Sequence, residues 1–223
     1  MTTTPEFIDT LVASATPVRR LKPPLIRAGM WLMLATIILA LIGVAHGLRS
    51  DIFDCVRQPR FVVAMVGALA TGILAAVASF QVSVPDGSRL WILVPMPALA
   101  LWVSAIGYGC LTDWVSIRPD GVHMGEAVRC FATLLLTSVP LSIAMLVMLR
   151  YAALLRSTEV SLLGGLAVAA VTSFALSLFH DLDATMMILI WNLGSAIVVA
   201  SASAVFGRSM FAWIAARLMP TLL

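Results

Sequence analysis

Residues 61–84, FVVAMVGALATGILAAVASFQVSV, and residues 90–111, LWILVPMPALALWVSAIGYGCL, stand on either side of the break Pro85-Asp86-Gly87-Ser88-Arg89. Each run is long enough to cross the bilayer core as a helix, which takes roughly 20 apolar residues. Neither contains a charge. Both are apolar on every side, so neither reads as the alternating strand of about ten residues that builds a membrane barrel. The break between them holds proline, glycine and charge, which a turn accepts and hydrocarbon excludes. Two antiparallel membrane helices joined by a turn are therefore expected.

The same pattern extends in both directions, with further runs at Leu25–His46, Phe131–Leu149, Ser161–Phe179 and Met186–Phe206, uncharged except for Arg27 near the start of the first. The sequence thus predicts an all-α polytopic membrane protein with six transmembrane helices and short loops. Composition agrees, since 61% of the 223 residues are apolar and 11% are charged, against about 45–50% and about 25% in soluble domains. A sizeable aqueous domain, a soluble enzyme and a disulfide-stapled secreted fold are excluded. A strongly polybasic nucleic-acid binder is excluded too, because 14 Lys and Arg face 11 Asp and Glu, and direct nucleic-acid contact is not expected. Three segments follow: a tail of residues 1–24, a transmembrane domain of residues 25–206 and a C-terminal interfacial helix of residues 207–223. A cleaved signal peptide is not expected, because the first apolar run is too long for a signal core and follows 24 polar-to-mixed residues.

Lys and Arg set the orientation. Arg19, Arg20, Lys22, Arg27, Arg89, Arg150, Arg156, Arg208 and Arg217 fall on one side, and Arg49, Arg57, Arg60, Arg118 and Arg129 on the other. Positive connections stay inside, which places both termini in the cytoplasm.

Within the spans, Ala64, Ala68, Gly72 and Ala76 form a small-residue stripe on the second run, as Ala196, Ala200 and Ala204 do on the sixth. Lipid gives no hydrophobic reward for helix pairing, so such stripes mark close backbone approach, either inside the bundle or in a homodimer. No ionisable residue lies at a span centre, which weakens a transporter or permease subunit, the alternative reading. Arg27 is expected to snorkel at a membrane edge. Trp31, Trp91, Trp114 and Trp213 are expected in the interfacial belts, and Pro95, Pro97 and Pro140 are expected to kink or interrupt helices three and four.

The three Cys and three His fall at or near one predicted face: His46, Cys55, Cys110, His123, Cys130 and His180. Thiolate and imidazole bind soft and borderline metals, and an accessible thiol is oxidisable. No C-x-x-C or H-E-x-x-H spacing occurs, so no resident metal or cofactor is expected, and only transient heavy-metal binding is in question. If helices three and four are antiparallel, Cys110 and Cys130 come to the same depth. Asp113, Asp120, His123, Glu126 and His180 read as solvated loop ends, and no catalytic residues are assigned.

Before the first span, Thr3 and Glu6 have capping-box spacing around Pro5, and Phe7, Ile8, Leu11 and Val12 share one helical face. A helix this short does not persist alone in water. Its apolar face calls for either the membrane surface, aided by Arg19, Arg20 and Lys22, or the groove of a soluble partner.

Several stretches resemble the six-helix membrane anti-sigma factors of the NrsF type. They are Phe7-Ile8-Asp9-Thr10-Leu11 leading to Pro17-Val18-Arg19-Arg20-Leu21, Gly109-Cys110-Leu111-Thr112-Asp113-Trp114, Arg129-Cys130-Phe131 with Pro140 and Leu149-Arg150, and Gly164-Gly165, Trp191 and Gly207-Arg208. The resemblance implies a non-enzymatic regulator of the bacterial inner membrane. Its tail, through Phe7, Ile8, Leu11, Val12, Arg19 and Arg20, and its cytoplasmic loops would sequester an extracytoplasmic-function sigma factor. Outer-face cysteines would sense heavy metal or oxidant and release it. Cys130 matches the first cysteine of that family pattern. Where a second is expected, between helices five and six, this chain has His180-Asp181. The implied sensing set is therefore Cys130 with Cys110, or Cys130 with His180 or Asp181, with Cys130 and His180 as metal ligands.

Overall fold

The computed structural model describes residues 21–47, 49–113, 124–149 and 156–179, with Thr4, Glu6, Asp9, Val12 and Ala13 of the tail. Among these residues every regular element is helical. We label the helices α1 (Pro24–His46), α2 (Ile52–Val56), α3 (Pro59–Val82), α4 (Met96–Asp113), α5 (Met124–Leu149) and α6 (Ser157–Phe179), with a 3-10 segment, Arg89–Leu93, before α4.

Four segments are long and apolar enough to cross a membrane: Pro24–Ala45, Pro59–Val82, Arg89–Gly107 and Thr158–Phe179. The apolar part of α5, Leu135–Leu149, is shorter, but the whole helix has 26 residues, about 39 Å at 1.5 Å per residue. The first five expected runs are thus helical. The sixth, Met186–Phe206, and the C-terminal segment lie outside the described residues.

Two boundaries move. Helix α5 begins at Met124 and so takes in Glu126 and Arg129, whose charge predicts a loop. No proline interrupts Met124 to Phe131, and charged residues near the end of a membrane helix do not stop it. Helix α6 starts one turn early for the same reason, with Glu159 in its first turn. The third run is not one continuous helix. Pro95 and Pro97 lack N–H donors, so the ladder cannot pass unbroken from the 3-10 segment into α4.

Helix α3 is the hub and packs against α1, α4 and α6. Its small stripe does this. Ala68, Gly72 and Ala76 are buried within the chain, and Ala64 is half-buried, so this stripe is used for bundle packing. A Cβ on Gly67 would lie 3.0 Å from the backbone of Trp102 in α4, and one on Gly72 would lie 2.9 Å from Val171 Cγ2 in α6. Both glycines let helices approach where any larger residue would hold them apart. The main core joins Ala28, Trp31 and Ala35 of α1, Phe80 of α3, Leu141 and Met145 of α5, and Leu163 and Val171 of α6. A smaller cluster of Ala68, Trp102 and Ala170 fills the space between α3, α4 and α6.

Candidate functional site

Polar contacts gather at the two ends of the bundle. At the end reached directly from the tail, Arg27 is buried on α1, four residues before Trp31. Its Nη2 donates to the Met148 carbonyl of α5, and its guanidinium lies 5.0 Å from the centroid of the Phe80 ring. Met148 is the penultimate residue of α5. The last four carbonyls of a helix have no intrahelical donor and carry the negative end of its dipole, so a guanidinium there is both a cap and a counter-charge. Trp31 Nε1 donates to the Leu141 carbonyl at 3.1 Å, one residue past Pro140. Arg156 completes this end by donating from Nη1 to the Gly87 carbonyl at 2.7 Å, tying the start of α6 to the turn after α3.

These contacts change two expectations. Arg27 does not reach outward to snorkel. It turns inward, because the carbonyl of Met148 and the face of Phe80 offer a desolvated cation the partners that lipid lacks. Trp31 is fully buried and therefore does not sit in an interfacial belt. Its indole N–H finds an acceptor inside the bundle, as a buried tryptophan requires.

At the opposite end, Arg49 follows the C-terminus of α1. Its backbone N–H donates to the Leu178 carbonyl at 3.1 Å, capping α6 one residue from its last position. Its side chain makes a two-pronged contact with Asp51, Nε to Oδ1 at 2.6 Å and Nη2 to Oδ2 at 2.7 Å, and lies 5.8 Å from the Phe61 ring centroid. Cys55 of α2 donates its thiol to Asp51 Oδ2 at 3.5 Å. The guanidinium of Arg49 is the main reason the Asp51 carboxyl is pulled down to about 2, with the Cys55 contact acting in the same direction.

The arginines sorted by sequence thus separate by end: Arg27 and Arg156 at one, Arg49 at the other. The expected sensing residues are only partly described. Cys110 lies in α4 and Cys130 in α5, whereas His180 and Asp181 lie outside the described residues, and the side chains of both cysteines do too. In the tail, Val12 is helical and exposed, while Phe7, Ile8, Leu11, Arg19 and Arg20 lie outside the described residues. Among the described residues no three His, Cys, Asp or Glu side chains form a metal-binding group. Sequence reasoning missed the Arg27–Trp31 pair and the Arg49–Asp51–Cys55 cluster. The first had a signal: Arg27 sits beside the buried positions Ala28, Trp31, Ala35 and Ile42, whose spacing marks one face of α1.

Residues 11–213 match the family NrsF, described as negative regulator of sigma F. The match starts within the tail and runs through every described helix. The chain belongs to the NrsF family. No curated protein and no solved structure matches it. For an NrsF-family chain the family description indicates negative regulation of a sigma factor, and with it sigma-factor binding. The apolar helices indicate that this regulation is exerted from a membrane.

Proposed function

We propose that this NrsF-family protein is a six-span anti-sigma factor of the bacterial inner membrane, with both termini in the cytoplasm, that holds an extracytoplasmic-function sigma factor at its cytoplasmic face. The observation that carries the reading is the family match over residues 11–213. The amphipathic tail face of Phe7, Ile8, Leu11 and Val12, followed by Arg19 and Arg20, binds the sigma factor and keeps it from RNA polymerase. Chemical stress, a heavy metal or an oxidant, acts at the opposite face through Cys130, with Cys110, His180 or Asp181 as its partners, and releases the sigma factor. The positive-inside bias of the loops supports this sidedness.

Two experiments test the reading. Deleting residues 1–22 abolishes co-purification with the cognate sigma factor while membrane insertion persists, and unchanged co-purification refutes the role of the tail. Cys130→Ser blunts stress-induced release, and normal induction in that variant refutes its sensing role.

A further inference from the structure

Helix α1 is only lightly embedded, with 22% of its membrane window buried against 39% for α3 and 56% for α6. Its attachment is polar at both ends. On the tail side, Arg27 and Trp31 hold two carbonyls of α5, at Met148 and Leu141. On the far side, the N–H of Arg49 holds the Leu178 carbonyl near the end of α6, and the Arg49 side chain is in turn held by Asp51. Between these ends, Gly43 lets the Phe179 ring approach so closely that a Cβ there would lie 3.3 Å from it. Helices in lipid gain no hydrophobic free energy by pairing, so polar attachments of this kind weigh heavily in setting where a peripheral helix lies.

We propose that α1 is the element that links the two faces, a strut whose seating on α5 at the tail end depends on its clamp to α6 at the Arg49–Asp51 end. The geometry gives each end a defined state. With Arg49 held by Asp51, the Leu178 carbonyl is capped and α1 is fixed in height and rotation, which brings Arg27 onto Met148. When the clamp opens, α1 is free to tilt or slide, and Arg27 and Trp31 leave α5 together because they lie four residues apart on one helix face. Pro23 and Pro24 connect this end directly to the tail, and their fixed φ angles make the junction stiff. Loss of the clamp at one face thus re-aims the tail at the other. The consequence for partner release rests on the reading of the tail given above, whereas the linkage between the ends of α1 does not.

Hydrogen–deuterium exchange of the full chain in lipid nanodiscs tests the linkage. In Asp51→Asn, which weakens the Arg49 clamp, amide exchange in residues 24–31 rises about tenfold, the size expected of a modest local opening, while residues 75–82 of α3 at the same end stay protected. Asp51→Glu, which retains the carboxylate, restores protection in residues 24–31. A change confined to residues 47–56 overturns the proposal, and so does an equal rise in residues 75–82, which marks general loosening. Sigma-factor co-purification is measured on the same variants. A propagated exchange change with unchanged co-purification supports the strut and counts against the tail as the binding segment instead.

Discussion

The guanidinium of Arg27 caps the carbonyl of Met148 across 121 residues of sequence, and it does so over the face of Phe80. The contact joins the first turn of α1 to the last turn of α5, so the helix that follows the tail is fastened to the helix that carries Cys130. It also accounts for a charge in an apolar span. A cation at that depth is tolerable where a helix end supplies an acceptor and an aromatic ring replaces part of the lost hydration.

Replacing Arg27 by Met removes the donor and leaves the Met148 carbonyl without it. We expect a loss of about 1.5–3 kcal/mol, the range for hydrogen bonds to charged groups. Arg27→Lys keeps the charge but not the planar face stacked on Phe80, and falls between the two. Reversible unfolding in mixed detergent–lipid micelles reads the difference. Equal stability of all three proteins would show that Arg27 is solvated rather than pinned.

Trp31 separates a belt tryptophan from a buried pin. Trp31→Phe keeps most of the ring and deletes the N–H that reaches Leu141 at 3.1 Å, for an expected loss of about 0.5–1.5 kcal/mol in the same assay. Trp31→Ala also leaves a cavity among Ala28, Ala35 and Leu141, and costs about 3–5 kcal/mol. A belt residue exchanged for Phe would show little change.

Glycines differ in what they permit, and the difference is measurable. Gly67→Ala places a Cβ 3.0 Å from backbone atoms of Trp102, which cannot yield as a flexible side chain can, and overpacking of this kind costs about 1–3 kcal/mol. Gly29→Ala meets nothing within 4 Å and is neutral or stabilising through its higher helix propensity. If the two variants unfold alike, the close approach of α3 and α4 at Gly67 is wrong.

Much of this architecture was legible because hydrocarbon imposes simple rules. The charge-free run from Phe61, the Pro85–Arg89 turn and the stripe Ala68, Gly72 and Ala76 each state a helix, a break and a packing face with no need of distant partners. Arg27 and Trp31 were harder to read. Both stand near the start of a span, where snorkelling and belt positions are the usual outcome, and only the approach of α5, more than a hundred residues away, turns them inward. The Arg49–Asp51–Cys55 cluster has ordinary loop spacing, and its cap on Leu178 is likewise a long-range contact that no local pattern encodes. Residues whose meaning depends on their own helix were readable. Those whose meaning depends on the end of another helix were not.

Acid tests the far clamp. The Asp51 carboxyl is lowered to about 2, chiefly by its hydrogen bonds to Arg49, below the ordinary value of about 3.9. A carboxyl that is more acidic in the folded protein binds fewer protons there than in the unfolded chain, so its contribution is complete above about pH 4 and fades as the pH falls towards the folded value. We therefore expect exchange of residues 47–56 to be flat from pH 7 to about pH 4, after correction for intrinsic rates, and to rise as the pH approaches 2. Asp51→Asn removes the titrating group, so this part of the pH dependence disappears and the segment starts from the looser level. A wild-type curve that coincides with that of Asp51→Asn over this window would mean that Arg49 is held in place by something other than the Asp51 carboxylate.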